Sequence, residues 1–155
     1  MPRAPFQVLV YPYRRVSGDE FEYALLKRMD TGYWQAIAGG GEDAETPLDA
    51  ARREAAEEAG LSLGSEFIQL DTLESIPVTE FHDSHLWGED VFVIPQYCFG
   101  VSVQERLIVI SHEHSEYQWL TYQEAYDLVQ FDGNRTALWE LNQRLHSKGP
   151  RVQGE

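Results

Sequence analysis

The segment GGGEDAETPLDAARREAAEEAGL, from Gly39 to Leu61, constrains this chain more than any other stretch. Thr46-Pro47-Leu48-Asp49 reads as a helix start. Thr46 can cap, a proline suits the first turn, and Asp49 can return a bond to the capping amide. Gly60 reads as the stop. The spacing predicts a helix of about thirteen residues between them. At ~100° per residue, Leu48, Ala51, Ala55 and Ala59 line up as one apolar stripe. Glu54, Glu57 and Glu58 fall within an arc of roughly 100° beside it.

Charge runs are commonly solvated helix faces, and an acidic face is the ordinary reading of three such carboxylates. Yet like charges four residues apart weaken a helix by a few tenths of a kcal/mol per pair, and no lysine is interleaved to relieve them. A hard cation would relieve them, and Mg²⁺ takes oxygen ligands of this kind. Glu45, Arg53-Glu54, Glu57-Glu58 and Gly60-Leu61 also stand at fixed distances from Gly39.

That arrangement resembles the Nudix box, G-x5-E-x7-R-E-U-x-E-E-x-G-U, where U is aliphatic. Every specified position is met, with Ala55 the smallest occupant of an aliphatic slot. The resemblance implies an α/β/α sandwich with a mixed sheet and the box helix packed on it. It implies metal-dependent cleavage of a nucleoside diphosphate linked to another group, with Mg²⁺ or Mn²⁺ as cofactor. Glu54, Glu57, Glu58 and Gly39 become the expected metal residues. A segment near the C-terminus, Glu113-His114-Ser115-Glu116-Tyr117-Gln118-Trp119-Leu120, is similar to the E-H-x-E-Y-x-W-L run of many Nudix enzymes. Glu113 there matches a glutamate that reaches the metals, with Glu116 as its rival. Cations held in this way would neutralise a diphosphate and activate a water. Glu54 and Glu113 are both candidates to orient or deprotonate that water. Arg53 is expected to pair with Glu45 and brace the loop against the helix, a role suited to a bidentate guanidinium.

The net charge of −14 argues against binding DNA or an anionic membrane, both of which call for basic patches. It does not argue against a phosphorylated small molecule, because bound metals invert the local charge. Seven acids lie between Glu42 and Glu58, so much of the surplus sits at the expected metal site. Cys98, the only cysteine, lies between Tyr97 and Phe99 and reads as a core thiol. The opening MPRAPFQVLV lacks a long apolar signal, so the default location is the cytoplasm.

With 155 residues, 43% of them hydrophobic, the chain suits one globular domain over 1–155. Strands are expected around Phe6–Val10, over Tyr23–Met29, over Tyr33–Ile37 leading into the glycines, over Phe67–Thr79 and Val91–Val103, and over Glu116–Leu120. Helices are expected from Thr121 and over Thr136–Leu145, the latter with Leu138, Leu141 and Leu145 spaced for burial. Strands on both sides of one helix, with helices at the end, indicate a mixed sheet between helical layers. The stretch Phe81–Asp90 reads as a surface loop that can border the site; its His82 and His85 are weak metal candidates.

Substrate clues lie outside the box. Tyr33-Trp34-Gln35 before the glycines, and Asn134-Arg135 near the C-terminus, resemble the bacterial dihydroneopterin triphosphate pyrophosphatases, also called dATP pyrophosphohydrolases. On that resemblance Trp34, Gln35 and Asn134 are expected substrate contacts, although Trp34 fits a core position equally well. Lys27 and Arg28 are either phosphate contacts or an exposed strand edge. The branch acting on dinucleoside polyphosphates and RNA 5′ ends has a similar Trp-Gln but follows it with Pro-Gln-Gly-Gly, against Ile37-Ala38-Gly39-Gly40 here. A Nudix-like module that only binds a nucleotide is the alternative from another class, and such modules generally lack some of the box glutamates retained here.

Overall fold

The computed structural model describes residues 3–147. Its backbone is a seven-stranded mixed sheet with helices on both faces. The strands are β1 (Arg3–Ser17), β2 (Glu20–Arg28), β3 (Trp34–Gln35), β4 (Ile37–Glu42), β5 (Phe67–Pro77), β6 (Val93–Ser102) and β7 (His114–Leu120). The helices are α1 (Pro47–Ala59), α2 (Tyr122–Leu128) and α3 (Asp132–His146).

β1 organises the sheet. One edge runs parallel to β6 from Gln7 to Tyr13. Its other edge is shared, pairing antiparallel with β4 around Gln7–Val10 and with β2 from Tyr13 onward. β7 and β3 extend β2, and β5 continues outward from β6. Since successive side chains leave opposite faces of a strand, Val8 and Val10 join one core cluster while Leu9, Tyr11 and Tyr13 join the other. Apolar residues on both faces identify β1 as a central strand.

Each cluster is closed by helices. Ala50, Ala51, Ala55 and Ala59 of α1 cover the Val8 face, and Leu48 packs alongside. On the opposite face, Ala125 and Val129 at α2 and Ala137, Leu138 and Leu141 of α3 cover Leu9 and Tyr11, with Leu145 partly buried. Small alanines let α1 lie close to the sheet, which brings its acidic flank near β4. Cys98 is fully buried, and burial pushes its thiol well up.

Local signals account for most boundaries. Thr46 caps α1 by accepting from the Asp49 amide at 3.2 Å, and Asp49 returns the bond to the Thr46 amide. Gly60 ends it at φ 68°, a left-handed conformation that glycine adopts without the Cβ penalty. Several boundaries differ from expectation: β1 extends well beyond Phe6–Val10, and two other differences bear on the site. The glycines are not a loop but the core of a strand, held by the ladder to β1. α3 begins at Asp132, four residues before Thr136, with Phe131 at the cap position and no side-chain cap bond to announce it. The 81–90 stretch is folded back by short 3₁₀ turns at Val78–Glu80 and Ser84–Trp87. Trp87 Nε1 donates to the Arg3 carbonyl at 2.8 Å and its ring meets Phe81 edge-on.

Candidate active site

Arg53 is the hub of the box. Its Nε and Nη2 donate to the two carboxylate oxygens of Glu45 at 2.8 and 2.9 Å. Nη2 also reaches the Gly40 carbonyl at 2.9 Å, while Nη1 donates to Glu54 at 2.9 Å and to Glu57 at 3.3 Å. The turn before the helix, the glycine strand and the helix are thereby joined through one planar group. The guanidinium holds the Glu45 carboxyl below its ordinary range, and Glu45 in turn accepts from the Glu42 amide at 2.8 Å.

The three helix carboxylates share an arc but not an environment. Glu57 is exposed at 58% of its side chain, Glu54 only at 12%. Glu58 is 3% exposed, and neither of its oxygens has a hydrogen-bond partner among the described residues. Burial above all, then the Glu54 and Glu113 carboxylates, push its carboxyl up to about 10, against an opposing pull from Arg28. His114, fully buried at the start of β7, has Nε2 3.7 Å from Glu58 Oε1. Burial, then Arg28, holds that imidazole below its ordinary range, so the pair is not an ion pair near neutrality. Glu113 lies in the turn before β7, with its carbonyl accepting from the Met29 amide at 2.8 Å.

Gly39 faces this cluster. A Cβ there would overlap the Glu54 carboxylate, so only glycine lets strand and carboxylate approach so closely. The donor set is all oxygen: two buried orphan oxygens on Glu58, the Glu54 carboxylate and a bare strand backbone. It fits a hard divalent cation such as Mg²⁺ or Mn²⁺. Among the described residues, no three His, Cys, Asp or Glu side chains converge at ligand spacing. Glu54 and Glu57 turn onto Arg53 instead.

On the other face of β4 lies a cavity of about 400 Å³. Gln7, Gln35, Ala38, Glu74, Gln96 and Asn134 are among its lining residues. Gln35 and Asn134, distant in sequence, thus meet in one place. Asn134 is 8% exposed, and its carbonyl accepts from the Tyr11 hydroxyl at 2.8 Å. Beside the cavity residue Gln7 sits Arg3, packed where a Cβ on Gly40 would be. Its guanidinium stacks over Phe81 at 4.7 Å and donates to Gln7 at 2.5 Å, and its Nε is buried without a partner among the described residues.

Other expected contacts lie elsewhere. Trp34 packs, partly buried, against the core cluster beneath α2 and α3 and is not among the cavity residues. Lys27 sits 3.9 Å from Glu116, on a stretch of β2 paired with both β3 and β7, so it is not on a strand edge and its amine is shared with a neighbouring carboxylate. Arg28 is held by both oxygens of Asp30 at 2.8 Å, although its charge reaches Glu58 and Glu113. Arg135, beside Asn134, donates to the Tyr126 and Val129 carbonyls and ties α3 to α2. His82 and His85 meet only through His85 Nδ1 and the His82 carbonyl. Arg3, Glu74, Gln96 and His114 escaped the sequence reading. A lone basic residue near the N-terminus and a cross-strand Glu–Gln pair leave no local pattern, and only the run around Glu113 gave a signal for His114.

Comparison with known proteins gives the family. The NUDIX domain profile matches residues 11–140, so the chain belongs to the Nudix family. It is a Nudix hydrolase, of the class that acts on pyrophosphate bonds. A crystal structure of a NUDIX hydrolase from Listeria monocytogenes is 38% identical and superposes with a TM-score of 0.82, over 92% of this chain and 94% of that one. The Escherichia coli dihydroneopterin triphosphate pyrophosphohydrolase structure is 26% identical with a TM-score of 0.72, over 90% of this chain and 97% of that one. The dihydroneopterin triphosphate diphosphatase of Haemophilus influenzae is 28% identical over 134 residues, 84% of this chain and 83% of its own length.

Proposed function

We propose that the chain, as a single domain over 1–155, is a divalent-metal-dependent pyrophosphohydrolase. Its substrate is a nucleoside triphosphate-like compound, dihydroneopterin triphosphate or dATP, cleaved between the α and β phosphates to a monophosphate and pyrophosphate. One observation carries this reading. The glycine strand presents Gly39 to the Glu54 carboxylate on one face and Ala38 to a ring-sized cavity on the other. A ring in that cavity would leave its phosphates crossing bare backbone towards the acids, and glycines are what such an approach requires.

Glu54, Glu57, Glu58 and Glu113, with the Gly39 carbonyl, would hold Mg²⁺ or Mn²⁺. When bound, the cation neutralises the diphosphate and makes water nucleophilic at neutral pH. Arg53 positions Glu54 by holding one of its oxygens, which leaves Oε2 to take a proton from the attacking water. Glu113 enters from the facing turn as a further carboxylate. Gln35 and Asn134 would orient the ring, and Arg3, held by Gln7 and Phe81, would meet a phosphate. Relatives named for dihydroneopterin triphosphate support the substrate class, and the acidic charge fits a small-molecule partner better than DNA. Among the described residues, no helix is long and apolar enough to cross a membrane.

A substrate panel with Mg²⁺, with products identified by mass and hydrolysis repeated in ¹⁸O-labelled water, tests this. Pyrophosphate plus a labelled monophosphate is the expected outcome. Activity confined to dinucleoside polyphosphates, nucleotide sugars or triphosphorylated RNA would overturn the substrate reading. Absence of hydrolysis with tight nucleotide binding would favour the binding-module alternative.

A further inference from the structure

Glu74 has no place in the phosphate chemistry, yet it occupies the ring cavity. It lies on β5 directly opposite Gln96 of β6, whose Nε2 donates to its Oε2 at 2.5 Å. No described residue donates to Oε1. The carboxylate presses against Gly133 at the start of α3, where a Cβ would overlap it. Gln35 and Asn134 line the same space.

A half-buried acid without a cation is costly in a protein of net charge −14. Burial pushes the Glu74 carboxyl above its ordinary range, against the pull of Gln96. Cross-strand pairing alone needs no carboxylate, because a glutamine would pair with Gln96 as well. A carboxylate is an acceptor only, and its natural complement is a pair of adjacent donors. Among fused heterocycles, the 2-amino-4-oxopyrimidine edge of guanine or a pterin offers such a pair, a ring N–H beside an exocyclic amino group. Adenine sets a ring acceptor beside its amino group and would oppose the carboxylate.

We propose that Glu74 is a specificity-determining residue that selects rings bearing the 2-amino-4-oxopyrimidine edge over adenine. The side-chain amides of Gln35 and Asn134 can complete the recognition by donating to the oxo group. The inference rests on reading the cavity as the ring subsite of a triphosphate hydrolase, and it narrows that reading from two substrates towards the pterin.

GTP and ITP differ only in the 2-amino group, so their kcat/KM ratio isolates the contact. Loss of a hydrogen bond to a charged group corresponds to roughly ten- to a hundredfold. With Mg²⁺, the parent should favour GTP over ITP by about that factor and should disfavour ATP. Glu74→Gln should bring the GTP/ITP ratio close to one, whatever it costs the ring N–H contact that both substrates share. Any loss of folded protein cancels in the ratio. A parental ratio near one, or a ratio unchanged in Glu74→Gln, overturns the proposal. If no triphosphate is hydrolysed at all, the functional reading fails separately. Equilibrium binding of GMP against IMP then decides on Glu74, with equal or undetectable affinity for both counting against it.

Discussion

Arg53 and Glu45 meet through a paired hydrogen bond, Nε to Oε2 at 2.8 Å and Nη2 to Oε1 at 2.9 Å, and the same guanidinium extends to the Gly40 carbonyl and Glu54. Removing it strands a partly buried carboxylate beside other acids and frees the glycine strand from the helix. Arg53→Ala should therefore lower stability by about 2 kcal/mol and also lower turnover. Arg53→Lys should restore little, because one ammonium cannot serve both Glu45 oxygens and the Gly40 carbonyl. Urea unfolding beside steady-state rates checks this. An alanine variant as stable as the parent, changed only in metal affinity, would contradict the brace.

The same pair sets part of the acid limb of stability. Arg53 depresses the Glu45 carboxyl below its ordinary value of 4.5. A carboxyl lowered on folding contributes stability that is present above its unfolded pKa and lost as pH falls through the folded one. Glu45→Gln should thus melt below the parent at pH 6, with the gap shrinking from about pH 4.5 downward. A gap that is constant from pH 6 to 3 would show that the charge of Glu45 contributes nothing.

Gly39→Ala separates architecture from chemistry. The nearest atoms to the added methyl are the carboxylate end of Glu54, a flexible group that can swing aside. Thermal stability should change by less than about 1 kcal/mol, while turnover falls because Glu54 has left its position over the strand. Unchanged turnover would show that the approach of Glu54 to Gly39 plays no part in catalysis.

What could be read from the sequence followed from local rules. The box helix, with its capping threonine, first-turn proline and terminal glycine, is specified within fifteen residues, and α1 forms between those signals. The helical layers were likewise legible in the order of strands and helices, and the buried face of α3 in its leucine spacing. The glycine strand was not, because β-propensity disfavours three glycines. The ladder to β1 overrides that preference. Glu74 and Gln96 were hidden for a different reason. Their significance lies in a cavity assembled from strands β1, β3, β4, β5 and β6, and no spacing along the chain encodes that meeting. Trp34 shows the converse: its motif context pointed to a ligand, and its position points to the core.

The buried acid Glu58 gives the sharpest test of the metal assignment. With a chelator present, burial and the Glu54 and Glu113 carboxylates raise its carboxyl to about 10. A carboxyl raised on folding stabilises fully below its unfolded value, near 4.5, and that contribution is lost as pH rises towards about 10. Glu58→Gln cannot titrate, so without metal it should gain on the parent steadily from about pH 5 to pH 9. Mg²⁺ should reverse the order, because a cation can take the proton's place in the parent and finds a weaker ligand in the variant. Turnover of Glu58→Gln should fall by orders of magnitude. Glu57→Gln should lose turnover comparably but leave the pH slope of the chelated protein alone, since Glu57 is exposed and held only by Arg53 at 3.3 Å. Melting curves from pH 5 to 9, with chelator or Mg²⁺, read all of these. If Mg²⁺ raises the Tm of Glu58→Gln as much as that of the parent, or either variant turns over normally at saturating Mg²⁺, the acidic cluster is not the metal site.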